Sequence, residues 1–247
     1  MKDSILFFDI ETTANPNAIA LLPEPTAPAN YKDADKIAQY VTEKKSEQIA
    51  QAPLDADLGK VVAISLQSGM ESQVEVHLIG DPETKSESDL IRWFWTAFAK
   101  ADARSCGYNI IGFDLPYLLR RSFDLGIQVP IQPQLSKFRT EPTTDLMAIL
   151  YNWGPAKGLK WVCKRYGIEN RLPELDGSQV ANMDPETLRK YAGNDVYLVV
   201  ELYKRMCGVY LPALMHTSPL SSIVNFKGGS DGSTHHITTP GIPGNRL

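Results

Sequence analysis

A chain of 247 residues with 43% apolar and 22% charged content can bury a sizeable core, which excludes disordered, collagenous and fibrous classes. Three scattered cysteines (Cys106, Cys163, Cys207) without a CxxC, and four histidines without metal spacing, exclude a disulfide framework and a zinc site. The net charge of −4 hides an asymmetry: residues 1–60 carry six Lys/Arg against ten Asp/Glu, and residues 115–171 carry nine against four. A basic region beside an acidic pocket suits a polyanion held next to a metal site. No run of 18 apolar residues and no signal-peptide pattern occurs, so a cytoplasmic protein with reduced thiols and no membrane partner is expected.

Ile5–Phe8 read as a buried strand, continuous, apolar and β-favouring. Asp9 and Glu11 follow with Ile10 between them, so strand alternation sends both acids to one face and Ile10 to the other. On that stretch alone the plain reading is that the strand ends and the acids are solvated. Residues 14–30 read as loop, and residues 31–51 as a polar surface helix with a thin stripe at Ile37, Tyr40, Val41 and Ile49. Residues 61–67 and 73–79 form two strands joined by a turn around Gly69. Residues 89–101 form an apolar helix, and 105–109 a short buried strand. Residues 113–126 form a helix ending at Gly126. A proline-containing loop (127–142) leads to helices over 145–153 and 158–168. Asp184-Pro185 opens a last helix running to about Met206, with Asp as N-cap and Pro at the first position. From Phe226 the composition turns to Gly, Ser, Thr and Pro, and 226–247 is expected to be a flexible tail. Strands first, then strands alternating with helices, predict an α/β layer in which an antiparallel hairpin extends a parallel part.

Three acid sites stand out. The inward stripe of the last helix is Leu188, Ala192, Asp195, Val199, Leu202 and Met206, so one member of an apolar stripe is a carboxylate. No Lys or Arg shares that stripe, and Tyr191 lies one turn before Asp195. Asp114, within NIIGFDLPYL, follows a short strand where a helix begins and has a plain reading as N-cap; Asn109 has one as a turn residue. Four carboxylates converging at one sheet edge would repel by several kcal/mol unless divalent cations bridged them. All-oxygen ligands select hard ions, Mg²⁺ or Mn²⁺. Two such ions roughly 4 Å apart suit in-line attack on a phosphodiester.

FDIET, NIIGFDLPYL and YAGND, in that order, resemble the three motifs of the DEDD (DnaQ-like) 3′→5′ exonucleases. The FDxPYL and YxxxD forms are similar to the proofreading domain of family-B DNA polymerases and its stand-alone relatives, over roughly residues 4–207. The resemblance implies a ribonuclease-H-like fold: a mixed five-stranded sheet with helices on both faces. It implies that Asp9, Glu11 and Asp195 hold the ion that binds the attacking water. Asp9 and Asp114 would hold the ion at the leaving 3′ oxygen, and Tyr191 would orient the water. Thr12, Asn109 and Phe113 match positions that touch the terminal nucleotide, although Phe113 suits the core equally. Asp145 resembles a supporting acid, with a helix N-cap as the favoured reading.

The expected domain is 1–225, with an insertion at 14–58 where relatives have a short connection. The expected activity is 3′→5′ hydrolysis of single-stranded DNA, releasing nucleoside 5′-monophosphates, with a polymerase or another replication or repair protein as a possible partner. RNA trimming by the same superfamily and a non-catalytic nucleic-acid-binding domain are the alternatives.

Overall fold

The computed structural model describes residues 5–209, so the expected tail lies outside the described residues. One five-stranded sheet organises them, in the spatial order β3-β2-β1-β4-β5. β1 (Leu6–Ala14), β2 (Gly59–Ser68) and β3 (Glu75–Leu78) pair antiparallel, while β4 (Ser105–Gly107) and β5 (Thr143–Asp145) extend the sheet in parallel from β1. This is the hairpin-plus-parallel sheet that the strand pattern predicts. The helices are α1 (Pro16–Ile19), α2 (Ala34–Gln51), α3 (Glu87–Lys100), α4 (Asp114–Asp124), α5 (Leu146–Tyr151), α6 (Leu159–Arg165) and α7 (Pro185–Cys207).

Strand alternation decides what each face buries. Phe8 and Ile10 of β1 pack with Phe94, Trp95 and Phe98 of α3 and Leu115 and Leu118 of α4. Phe7, on the opposite face, packs with Val196, Val199 and Tyr203 of α7 and with Val162 of α6. Helices therefore cover both faces. All six members of the predicted α7 stripe are buried, and the helix starts as expected, with Asp184 accepting from the Glu186 and Thr187 amides. Each large apolar side chain so buried contributes roughly 1.5–3 kcal/mol.

Several boundaries differ from the expected ones, each for a physical reason. β1 does not end at Phe8 but continues through Ala14, because β2 offers it a partner along its whole length. Asp9 and Glu11 are thus in mid-strand, and the solvated-end reading is wrong for both. β4 stops at Gly107 rather than Asn109. A Cβ at Gly107 would sit 2.3 Å from Ile110 Cγ2 and 3.0 Å from the Phe8 carbonyl oxygen, so the tight turn that follows needs glycine there. β5 has no counterpart in the sequence reading, since three residues, Thr-Thr-Asp, are too short to show a period and owe their strand state to β4. Within 14–58, α2 buries none of its side chains, as expected of a surface helix. The three thiols are free and buried.

Asp145 has more work than an N-cap. Its Oδ1 accepts from Met147 and Ala148 at the start of α5, and also from the Asn109 amide at 2.9 Å. Its Oδ2 accepts from the Ile111 amide at 3.0 Å. One buried carboxylate therefore joins α5 to the loop that carries Asp114. Asp145→Ala should cost about 3 kcal/mol, since four donors lose a charged acceptor, lowering the melting temperature by roughly 6–12 °C. Thermal melting checks this; an unchanged midpoint would mean those bonds contribute nothing net.

The basic region is also thinner at the surface than its composition suggests. Arg121 is buried and holds Glu87 in a two-pronged pair, Nε–Oε1 at 2.8 Å and Nη2–Oε2 at 2.9 Å. Arg120 is paired with Asp55 and Asp57. These two tie α4 to α3 and to the 55–57 turn.

Candidate active site

β1 carries Asp9 and Glu11 on the face toward α7, and α7 presents Asp195 to them. One carboxylate oxygen from each of Asp9, Glu11 and Asp195 can be chosen such that all three lie within 4.8 Å of one another. Asp114 joins from the side. It is the first residue of α4 and caps nothing; the cap position is Phe113, without a side-chain bond. Instead, Asp114 Oδ1 accepts from the Ile10 amide at 3.2 Å, the amide between the two β1 acids. The N-cap reading of Asp114 is therefore corrected: its side chain crosses 104 residues of sequence to reach β1. The pairing of β1 with β2 slips between Glu11 and Thr12, where Val62 is the extra residue. Such bulges re-aim side chains at the rim of a site.

A cation missing from the predicted site residues completes the cluster. Lys160 of α6 places Nζ 4.0 Å from Asp195 Oδ1, 3.3 Å from the Tyr191 hydroxyl and 4.3 Å from the centre of the Tyr191 ring. It is fixed by donating to the Leu175 carbonyl at 2.6 Å. The absence of a Lys or Arg on the α7 stripe was real; the partner comes from another helix. The signal in sequence was one lysine among three basic residues of GLKWVCKR, with nothing to single it out.

Electrostatics shows what this crowding costs. Asp9 is held well above the usual carboxylate range, first by burial and then by the charges of Asp114, Glu11 and Asp195. Glu11 is raised by burial and by Asp195 and Asp114. Burial pushes Asp114 up to about 7, against the pull of the amides it accepts from. Asp195 is raised by burial, while Lys160, Tyr191 and Asn194 pull it down. Burial and the neighbouring acids raise the Tyr191 phenol, so it stays protonated. Glu11 Oε1 is buried and accepts no hydrogen bond from any described residue. An orphaned oxygen beside two like charges is the donor set a hard divalent cation fits.

The stability consequence has a definite sign. A raised carboxyl pKa means the folded state holds protons that the unfolded chain releases near pH 4. That contribution is complete below about pH 4 and is lost as pH rises to and through about 7, where Asp114 titrates. In EDTA the melting temperature should therefore fall from pH 5.5 to pH 8. Saturating Mg²⁺ or Mn²⁺ should flatten the fall, by binding the folded state alone. Melting curves at both pH values check this, and equal slopes with and without the ion would contradict it.

The three expected nucleotide contacts lie around this centre. Thr12 follows Glu11 on β1 but is buried, and its hydroxyl donates to the Pro53 carbonyl at 2.7 Å. Asn109 sits in the turn after β4 with φ +66°, its amide held by Asp145 and its side chain against Gly112. Phe113 is half-buried, packed on the α3 side of the sheet with its ring 5.3 Å from that of Tyr117.

A family described as a predicted 3′-5′ exonuclease related to the exonuclease domain of PolB matches residues 53–210, more than half of the chain. The chain belongs to that family. The match includes Asp114, Lys160, Tyr191 and Asp195; Asp9 and Glu11 precede it and are brought to them by the fold. No curated protein matches the chain. Among solved structures, the family B DNA polymerase from the hyperthermophilic archaeon Pyrobaculum calidifontis is similar in fold, with a TM-score of 0.53 and 21% identity. That match covers 82% of this chain and 24% of the polymerase, so the chain spans about a quarter of the polymerase's length. The ribonuclease-H-like exonuclease fold expected from the motifs is the fold observed.

Proposed function

We propose that this chain is a metal-dependent 3′→5′ exonuclease that hydrolyses the terminal phosphodiester of single-stranded DNA and releases nucleoside 5′-monophosphates. The observation that carries this reading is the Asp9–Glu11–Asp195 cluster, its oxygens within 4.8 Å and Glu11 Oε1 unpartnered among the described residues. Asp9, Glu11 and Asp195 would hold one divalent cation, and Asp9 with Asp114 a second. When bound, such ions offset charge on the phosphate and activate water, which is why Mg²⁺ or Mn²⁺ is required.

The chain's own groups do the rest. The Tyr191 phenol, kept protonated, orients the attacking water. Lys160 sets the phenol in place and adds positive charge where the phosphate gains negative charge. Thr12, Asn109 and Phe113 flank the terminal nucleotide. Asp145 fixes the loop between β4 and Asp114 and so positions that acid without touching substrate. No described helix is long and apolar enough to cross a membrane.

Degradation of 5′-labelled single-stranded DNA and RNA with Mg²⁺, Mn²⁺ or EDTA tests the reading. Ladders shortening from the 3′ end, dependent on the ion and faster on DNA, are expected. Faster loss of RNA would move the substrate to the ribonuclease branch, and binding without cleavage would leave a non-catalytic domain. Tyr191→Phe should slow single-turnover cleavage about ten- to a hundredfold, the worth of one positioning hydrogen bond of roughly 1–3 kcal/mol. Its metal-induced gain in melting temperature should persist. A rate equal to wild type would remove the phenol from the mechanism.

A further inference from the structure

α6 connects the acid centre to a surface that the reaction so far leaves unused. Its inner face is locked down: Val162 and Cys163 are buried, Cys163 Sγ lies 3.9 Å from the Leu198 carbonyl, and the Tyr108 hydroxyl donates to the Lys157 carbonyl just before the helix. Its outer face presents Trp161, 52% exposed, with Lys157 Nζ 5.9 Å from the ring centre. Tyr166 follows, 41% exposed, with the Arg165 guanidinium 6.0 Å from its ring. Lys157, Lys164 and Arg165 have no ion-pair partner among the described carboxylates.

These residues do not form a bare patch. α6 and the segment 167–173 enclose a groove lined by Lys160, Trp161, Lys164, Ile168, Glu169 and Pro173. The same Lys160 whose Nζ stands 4.0 Å from Asp195 lines that groove, so the groove lies beside the acid centre. The facing segment is fixed as well, since Asn194 of α7 donates to Asn170 Oδ1 at 2.9 Å and accepts from the Arg171 amide. An exposed indole beside cations without an ion-pair partner among the described residues, with Glu169 as the single acid in the lining, matches what a single strand offers: flat bases and a negative backbone.

We propose that this groove carries the part of the single strand on the 5′ side of the terminal nucleotide, with a base stacked on Trp161 and a backbone phosphate against Lys164. The proposal rests on the 3′-end reading above. It makes α6 a measure of strand length: a substrate with nothing beyond the terminal nucleotide gains nothing from it. Stacking of one base on an aromatic ring changes affinity by roughly ten- to a hundredfold.

Two substrates separate the groove from the acid centre: thymidine 5′-(p-nitrophenyl phosphate), which ends at one nucleotide, and (dT)10. Trp161→Ala should lower kcat/KM on (dT)10 about ten- to a hundredfold and leave the small ester within twofold of wild type. Trp161→Phe should restore most of the loss. Lys164→Ala should reduce the slope of log affinity against log salt by about 0.7, one phosphate on a single strand. Equal losses on both substrates, or none on either, would overturn the groove while leaving the hydrolase reading intact. Competition by an acidic decapeptide as strong as that by (dT)10 would assign the groove to a protein and overturn it too. A wild type inert on both substrates would remove the hydrolase reading and the groove with it.

Discussion

Asp9→Asn or Asp195→Asn should abolish all but about a thousandth or less of the hydrolytic rate while making the metal-free protein more stable. Both effects come from one cause. Asp9 feels burial and three neighbouring carboxylates, so in the absence of a cation its charge is a cost to the fold. Removing it relieves that cost and raises the melting temperature in EDTA above pH 7. The same carboxylate is a ligand oxygen in the proposed centre, and losing one takes away transition-state charge stabilisation worth several kcal/mol. Single-turnover rates and melting curves at pH 8 read the two effects separately. A variant of near-normal rate, or one less stable than wild type in EDTA, would contradict the assignment.

Lys160→Met should slow cleavage about thirty- to three-hundredfold and, unlike the aspartate variants, should destabilise the metal-free protein. Methionine keeps much of the aliphatic length but cannot donate to the Leu175 carbonyl or the Tyr191 hydroxyl. It also removes the positive charge that lowers the cost of Asp9, Glu11 and Asp195. The kinetic loss combines a displaced phenol with a missing cation near the phosphate, about 2–3.4 kcal/mol together. Saturating Mn²⁺ should restore most of the stability, since the ion supplies the charge, but not the rate. The opposite signs in EDTA, up for Asp195→Asn and down for Lys160→Met, are the diagnostic. Matching signs would mean that Lys160 is not part of the acid centre's charge balance.

The acids were legible because their positions break a local rule. Asp195 interrupts an apolar helical stripe, and Asp9 and Glu11 follow four apolar residues with the period of a strand. The structure confirms the stripe and the shared face. Lys160 was not legible, because on its own short helix it looks like any surface lysine, and only α6–α7 packing brings it to Asp195. Asp114 could be found only as part of a motif, since its bond to Ile10 spans 104 residues and its local setting suggests a cap. β5 escaped for a related reason: its strand state is set by its neighbour β4. The overstatement of the basic region has the same origin, because composition cannot show that Arg121 is spent on Glu87 inside the fold.

The central claim, that Asp9, Glu11, Asp114 and Asp195 form one hard-cation centre, is most directly tested by calorimetric titration of Mn²⁺ at pH 6.5 in two buffers of different ionisation enthalpy. Carboxyls held above their usual range must lose protons when the ion binds, so the wild type should show saturable binding with proton release. The Asp9→Asn/Asp195→Asn double variant should show neither. Binding of equal affinity and proton release in wild type and double variant would place the ion elsewhere and contradict the account.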